Sequence, residues 1–231
     1  FERVYETLGK VKAGLAPHVT LIGFCGAPWT VASYMIEGRG SDRAVALAAA
    51  AKAEPWFVRL VDRLVDTSID YLVGQVKAGA EVLQIFDSWA GDLPEGLRAR
   101  WVHEPIARVV DGVRKVFPGL PVIVFGRGIG TGHAALARAT HANAVSVEQD
   151  TRLSDVLKDL PAGVAVQGNL APERLMAGGA DMIAGTEAIC REVPMARHVF
   201  NLGHGILPST DPDVISRLAA LVREHAATAA R

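Results

Sequence analysis

The sequence has no apolar run near the roughly 18 residues that a membrane-spanning helix needs, and nothing at its start has the hydrophobic region of a secretory signal. Cysteine is scarce. Cys25 and Cys190 lie far apart, which predicts reduced thiols of a cytoplasmic protein, not a disulfide scaffold. Excess charge is missing too: 24 Lys and Arg stand against 25 Asp and Glu, for a formal charge of -1. Such a balance leaves no electrostatic footprint for nucleic acid or an anionic membrane, so neither is expected as a partner. The chain also has no His-x-x-x-His or Cys-x-x-Cys pair. Joining Cys25 to His204 would supply two metal ligands where a catalytic zinc site takes three, and no metal is expected.

What is present is a core. Half of the 231 residues are hydrophobic, enough for one globular domain or at most two. Composition shows no linker or low-complexity break, so residues 1–231 read as a single domain. Short apolar, β-branched runs alternate with longer amphipathic segments, which predicts an α/β fold of parallel strands joined by helices. The strand candidates are His18 to Phe24, Glu81 to Asp87, Pro121 to Phe125, Asn143 to Glu148, Gly163 to Gly168 and Arg197 to Gly203. Helices are expected over Pro28 to Glu37, as a pair from Ser41 to Lys77, then over Arg98 to Phe117, Gly132 to Thr140, Leu153 to Leu160, Pro172 to Arg191 and Asp211 to the end. Six strands suffice for a doubly wound sheet. A (β/α)8 TIM barrel needs eight; with Phe1 where a methionine would start a chain, that reading puts two further units, about 60 to 80 residues, before Phe1. Composition does not choose between the two.

In either architecture ligands bind at the carboxyl ends of the strands. Three junctions there carry polar groups. "LIGFCGAPWTVASYMIEGRGS" turns from a strand through a Gly/Pro corner into a helix that carries Tyr34. "IFDSWAGDLPEG" sets Asp87 and Ser88 at the end of an apolar strand, and "FNLGHGILPSTDP" places His204 between two glycines. With Phe24 and Phe86 nearby in the strands, Tyr34, Ser88 and His204 suit an apolar pocket with a few placed polar contacts. Plainer roles exist: a tyrosine on such a helix can pack half-buried, and Ser88 can cap the next segment.

The glycine run "FGRGIGTGHAAL" follows a strand and opens a helix, with Glu148 at a distance suited to a ribose. Its spacing fails the dinucleotide pattern. Counted from Gly126 the third glycine falls on Thr131, and counted from Gly128 it falls on His133, so a flexible loop is the better reading. Arg127 within it is a cation at a strand end, suited to a carboxylate.

"LIGFCGAPWTVASYMIEGRGS", "QIFDSWAG", "VQGNL" and "FNLGHGILPSTDP", in this order and at these intervals, resemble the uroporphyrinogen decarboxylase family. The resemblance implies a (β/α)8 barrel, with about six of its eight units in this chain, that forms homodimers. It also implies an enzyme, a carboxy-lyase of haem biosynthesis, that decarboxylates the four acetate side chains of uroporphyrinogen III to give coproporphyrinogen III without metal or cofactor. Carried over by position, the family's substrate-contacting tyrosine falls on Tyr34, its strand-end serine or threonine on Ser88 and its pocket histidine on His204. All three are expected to bind substrate. The family's ring-holding aspartate and its Arg-rich motif are expected before Phe1, so no residue of this chain is assigned as catalytic. The chain departs from the family at Ala171, where aspartate is common, at "SVEQDT", where an Asp-Trp form is usual, and at Arg127, where lysine is frequent. Two alternatives stand beside this reading: a corrinoid-linked methyltransferase of the same barrel superfamily, which predicts bound zinc, and a tetrapyrrole-binding form without activity.

Overall fold

Proline sets the start of five helices among the described residues. Pro28, Pro55, Pro105, Pro172 and Pro212 each sit in the first two positions of one, where the missing N–H has no intrahelical partner to lose. The structure, a computed structural model, describes residues 1–38 and 42–229. The chain divides into two units, Phe1–Asn143 and Ala144–Arg231.

The first unit runs α1 (Glu2–Gly14), β1 (Ile22–Gly26), α2 (Pro28–Glu37), α3 (Ala44–Lys52), α4 (Pro55–Lys77), β2 (Val82–Asp87), α5 (Glu95–Arg98), α6 (Glu104–Val116), β3 (Val122–Gly126) and α7 (His133–Thr140). Its three strands pair in parallel, with Phe24 opposite Gln84 and Phe86 opposite Phe125. The long helix α4 buries Phe57, Val61, Val65, Ser68, Leu72 and Gln75, a spacing of three and four that keeps one face toward α2, α6 and β1. Gln75 does more than fill space. On the side of β1 away from β2, its amide accepts the Phe24 N–H at 2.9 Å and donates to the Phe24 carbonyl at 2.8 Å. A side chain thus satisfies backbone groups that would otherwise present an open strand edge.

The second unit runs β4 (Ala144–Ser146), α8 (Leu153–Asp159), β5 (Ala165–Leu170), α9 (Pro172–Ala177), α10 (Gly179–Glu192), β6 (His198–Leu202) and α11 (Pro212–Ala229). Its strands are parallel too, with Ser146 opposite Gln167 and Asn169 opposite Asn201. Helices α8 and α10 pack on β5, and α11 packs on α9 and α10.

The α/β expectation holds: six parallel-paired strands alternate with helices, three strands to each unit. Boundaries differ in places. The first strand begins at Ile22, not His18, because residues 16–19 form a turn closed by the Val19 N–H on the Ala16 carbonyl at 2.9 Å. Helix α1 is an addition to the expected helices: Val4, Leu8 and Val11 recur at helical spacing along it, and none of its residues is buried. The helix expected over Pro172 to Arg191 is two helices, interrupted at Gly178. That expected from Arg98 begins at Glu95 and passes through a wider π-turn at Ala99–His103 before α6. Ser41, the expected start of the pair that became α3 and α4, and residues 230 and 231 lie outside the described residues.

Candidate functional site

The carboxyl end of β2 is tied to the first turns of α2. Asp87, the last residue of the strand, is fully buried and accepts a hydrogen bond from the Thr30 hydroxyl at 2.7 Å. Its other oxygen, Oδ2, has no hydrogen-bond partner among the described residues. Burial pushes this carboxyl up to about 7; hydrogen bonds from Thr30 and from the Trp89 backbone oppose that rise, and the charge of Asp92 adds to it. Thr30 serves twice, because its hydroxyl oxygen also accepts the Trp89 N–H at 3.3 Å. One residue further back, Trp29, itself fully buried, donates its indole N–H to the Trp89 carbonyl at 2.9 Å. The Trp89 backbone, directly after Ser88, is therefore held at both its N–H and its carbonyl.

The end of β3 closes the other side of this turn. The Arg127 N–H donates to the Asp87 carbonyl at 3.0 Å, and the Gly91 N–H donates to the Arg127 carbonyl at 2.9 Å. A side chain on Gly91 would bring its Cβ to 2.6 Å from the Gly128 carbonyl oxygen, and Gly128 itself has a φ of +72°. Only glycine accommodates both demands. Part of the run read as a flexible loop is thus a close backbone contact that completes the strand-end platform.

Tyr34 and Ser88 meet on this platform through Trp89. Tyr34, on α2, is 50% exposed and packs its ring edge-on to the Trp89 ring, at 6.1 Å and 68° between planes. Ser88, one residue before Trp89, is half-buried. Along β1, β2 and β3, Phe24, Phe86 and Phe125 form a ladder of edge-to-face rings with centroids 6.0 and 6.2 Å apart. Phe24 is 59% exposed, so the ladder offers apolar surface at its β1 end.

Sequence reasoning did not pick out Thr30, Trp89, Arg43 or Asp92 as parts of this cluster. Arg43 pairs with Asp92 at 2.5 Å and lies over the Trp89 ring at 4.0 Å. For Thr30 a signal existed: it follows Pro28 closely in the first turn of a helix, where a hydroxyl faces the strand ends. For the Arg43–Asp92 pair there was none, since the two residues come from separate segments.

His204 belongs to the second unit, just after β6. It is exposed, between a buried Gly203 and an exposed Gly205. The Gly203 N–H donates to the Leu170 carbonyl at 2.8 Å, and a Cβ on Gly203 would collide with the Gln149 backbone. This glycine lets the chain pass close to the loop after β4. Nearby, Asn169 donates to the Glu148 and Thr151 carbonyls at 2.8 and 2.6 Å, which fixes the end of β5.

Neither cysteine is disposed to act as a nucleophile. Burial pushes the Cys25 thiol up to about 12 against a hydrogen bond with Ser68, and raises Cys190 as well. No group of three or more His, Cys, Asp or Glu among the described residues is arranged to hold a metal ion.

Parallel strand–helix units with polar side chains gathered at a strand's carboxyl end define the class: an α/β protein of the kind that binds ligands at its strand ends. Solved structures agree on the fold. A methyltransferase from Methanosarcina mazei superposes with a TM-score of 0.78 at 20% identity, covering 96% of this chain and 63% of that one. The putative vitamin-B12 independent methionine synthase from Listeria monocytogenes gives a TM-score of 0.60 at 15% identity, covering 97% of this chain and 69% of that one. The family is given by sequence. The family model for uroporphyrinogen decarboxylase (URO-D) matches residues 1–225, and the chain belongs to that family. Uroporphyrinogen decarboxylase of Paracoccus denitrificans is 41% identical over 221 residues, covering 95% of this chain and 65% of its own length. That of Sinorhizobium fredii is 43% identical over 224 residues, covering 95% of this chain and 64% of its own. The chain thus spans slightly under two thirds of the length of these relatives.

Proposed function

We propose that the protein carrying this chain decarboxylates the four acetate arms of uroporphyrinogen III to give coproporphyrinogen III. The observation that carries this reading is the family match over residues 1–225. In each step the bond between an acetate methylene and its carboxyl carbon breaks and CO2 leaves. The electron pair passes into a pyrrole ring already protonated on a ring carbon. The ring then gives up that proton as the methylene takes one up, leaving a methyl group. The electron sink is the substrate's own ring, so no cofactor enters the reading.

This chain's residues supply binding and orientation. Tyr34 and Ser88 present hydroxyls beside the aromatic ladder, a polar-on-apolar surface suited to a flat ring bearing carboxylates. Arg127, at the end of β3, offers a guanidinium to a carboxylate, and His204 contributes a further contact from the loop after β6. A single (β/α)8 barrel domain, a homodimer and a cytoplasmic location are parts of the same proposal.

The test is anaerobic incubation with uroporphyrinogen III, followed by oxidation and separation of the porphyrins by carboxyl number. Products with seven to four carboxyls are expected; an unchanged eight-carboxyl profile contradicts the reading. Stoichiometric zinc in the purified protein would favour the methyltransferase alternative.

A further inference from the structure

Arg43 has no part in the roles assigned above, yet it sits at the centre of their support. It precedes α3 with its own backbone in the left-handed region, at φ 63° and ψ 24°, an uncommon conformation for a long side chain. Its side chain is 19% exposed, and its guanidinium carbon lies 4.0 Å from the centre of the Trp89 ring. Asp92, from the same turn as Trp89, pairs with the guanidinium at 2.5 Å. The Trp89 peptide is fixed by Thr30 and Trp29, but those bonds leave the indole free to turn about its side-chain torsions. Arg43 lies on the face of the indole and Tyr34 packs against its ring. A planar guanidinium stacks flat on an aromatic face and keeps a fixed fork toward a carboxylate, which an ammonium does not.

We propose that Arg43 is a positioning residue: it locks the Trp89 indole and, through it, sets the ring of Tyr34 that faces the ligand. The inference rests on the tetrapyrrole reading. Asp92 already neutralises the guanidinium, so Arg43 acts by stacking and not as a carboxylate receptor.

The experiment titrates the full chain with uroporphyrin III, the air-stable oxidised form, for the wild type, Arg43→Met, Arg43→Lys, Tyr34→Phe and the Arg43→Met/Tyr34→Phe double variant. Arg43→Met is expected to weaken binding by about 5- to 10-fold, and Arg43→Lys nearly as much, because the lysine keeps the charge but loses the flat stack. The double variant is expected to bind no more weakly than the worse single variant, the non-additivity of residues acting through one another. With 5-fluorotryptophan at the four tryptophans, the Trp89 fluorine resonance, assigned by Trp89→Phe, should move in both Arg43 variants while the others stay in place. Should Arg43→Met fail to fold, Arg43→Lys carries the same comparison. Losses that simply multiply in the double variant, or a stationary Trp89 resonance with unchanged affinity, overturn the inference alone. Absence of binding by the wild type overturns the functional reading, and this inference with it.

Discussion

The ends of β2 and β6 solve one problem in different ways. Each must present a polar group just beyond a strand. At β2 backbone bonds from the end of β3 are joined by side chains: Thr30 bonds both Asp87 and the Trp89 N–H, and Trp29 holds the Trp89 carbonyl. At β6 the turn is pinned by backbone: Gly203 closes on Leu170 and Gln149, and His204 then stands exposed. A turn that relies on side chains can be loosened by single substitutions, and this one carries a buried carboxyl. A turn held by a glycine's close approach leaves the neighbouring His204 side chain exposed and free of structural duty. The contrast yields separate expectations for stability and for binding.

The largest effect is expected at Asp87, and it depends on pH. The folded protein holds this carboxyl's proton up to about pH 7, whereas the unfolded chain releases it near 3.8. Between these values the folded state binds more protons than the unfolded state, so stability falls as pH rises through that window and levels off above it. Asp87→Asn, neutral throughout, should remove that slope and be more stable than the wild type at pH 8 by on the order of 3 to 4 kcal/mol. Urea unfolding at pH 4.5 and pH 8 reads the difference; equal gaps at the two values would show that the carboxyl does not titrate as its burial implies.

Thr30→Val comes next. Replacing the hydroxyl with a methyl leaves Asp87 and the Trp89 N–H without their shared partner, a loss of about 1 to 3 kcal/mol for buried groups. A lowered unfolding midpoint together with weaker uroporphyrin binding is expected, since the same hydroxyl supports the Ser88 peptide. Unchanged binding in a destabilised variant would separate the turn from the ligand.

At His204 the expectation reverses. His204→Ala should change stability by no more than about 0.5 kcal/mol, as for other exposed side chains away from structural bonds. Uroporphyrin affinity should nonetheless fall. A stability loss as large as that of Thr30→Val would erase the distinction between the two turns.

Alternation of short β-branched runs with amphipathic segments made the α/β class legible, because strand burial and the stripe of α4 both print directly on sequence. Helix α1 was passed over although Val4, Leu8 and Val11 recur at helical spacing. It packs through rings at one end, Tyr5 lying 6.2 Å from Tyr71, and buries no residue fully. The positions of Tyr34 and Ser88 were readable, Ser88 directly after β2 and Tyr34 on the helix that follows β1. Their support was not: the stack of Arg43 on Trp89 and the pairing with Asp92 depend on how α3 meets the β2 turn, which no local spacing encodes. The glycine run after β3 misled in part, since composition alone does not distinguish a loose loop from two glycines pressed together, as Gly91 and Gly128 are.

The central claim is that the β2 platform grips the tetrapyrrole, and titration of uroporphyrin III against the wild type and the Tyr34→Phe/Ser88→Ala variant tests it most directly. Loss of both hydroxyls is predicted to weaken binding by about 2 kcal/mol, close to 30-fold, with little change in the unfolding midpoint. Equal affinity for the two proteins would contradict the claim and return Tyr34 and Ser88 to packing and capping roles.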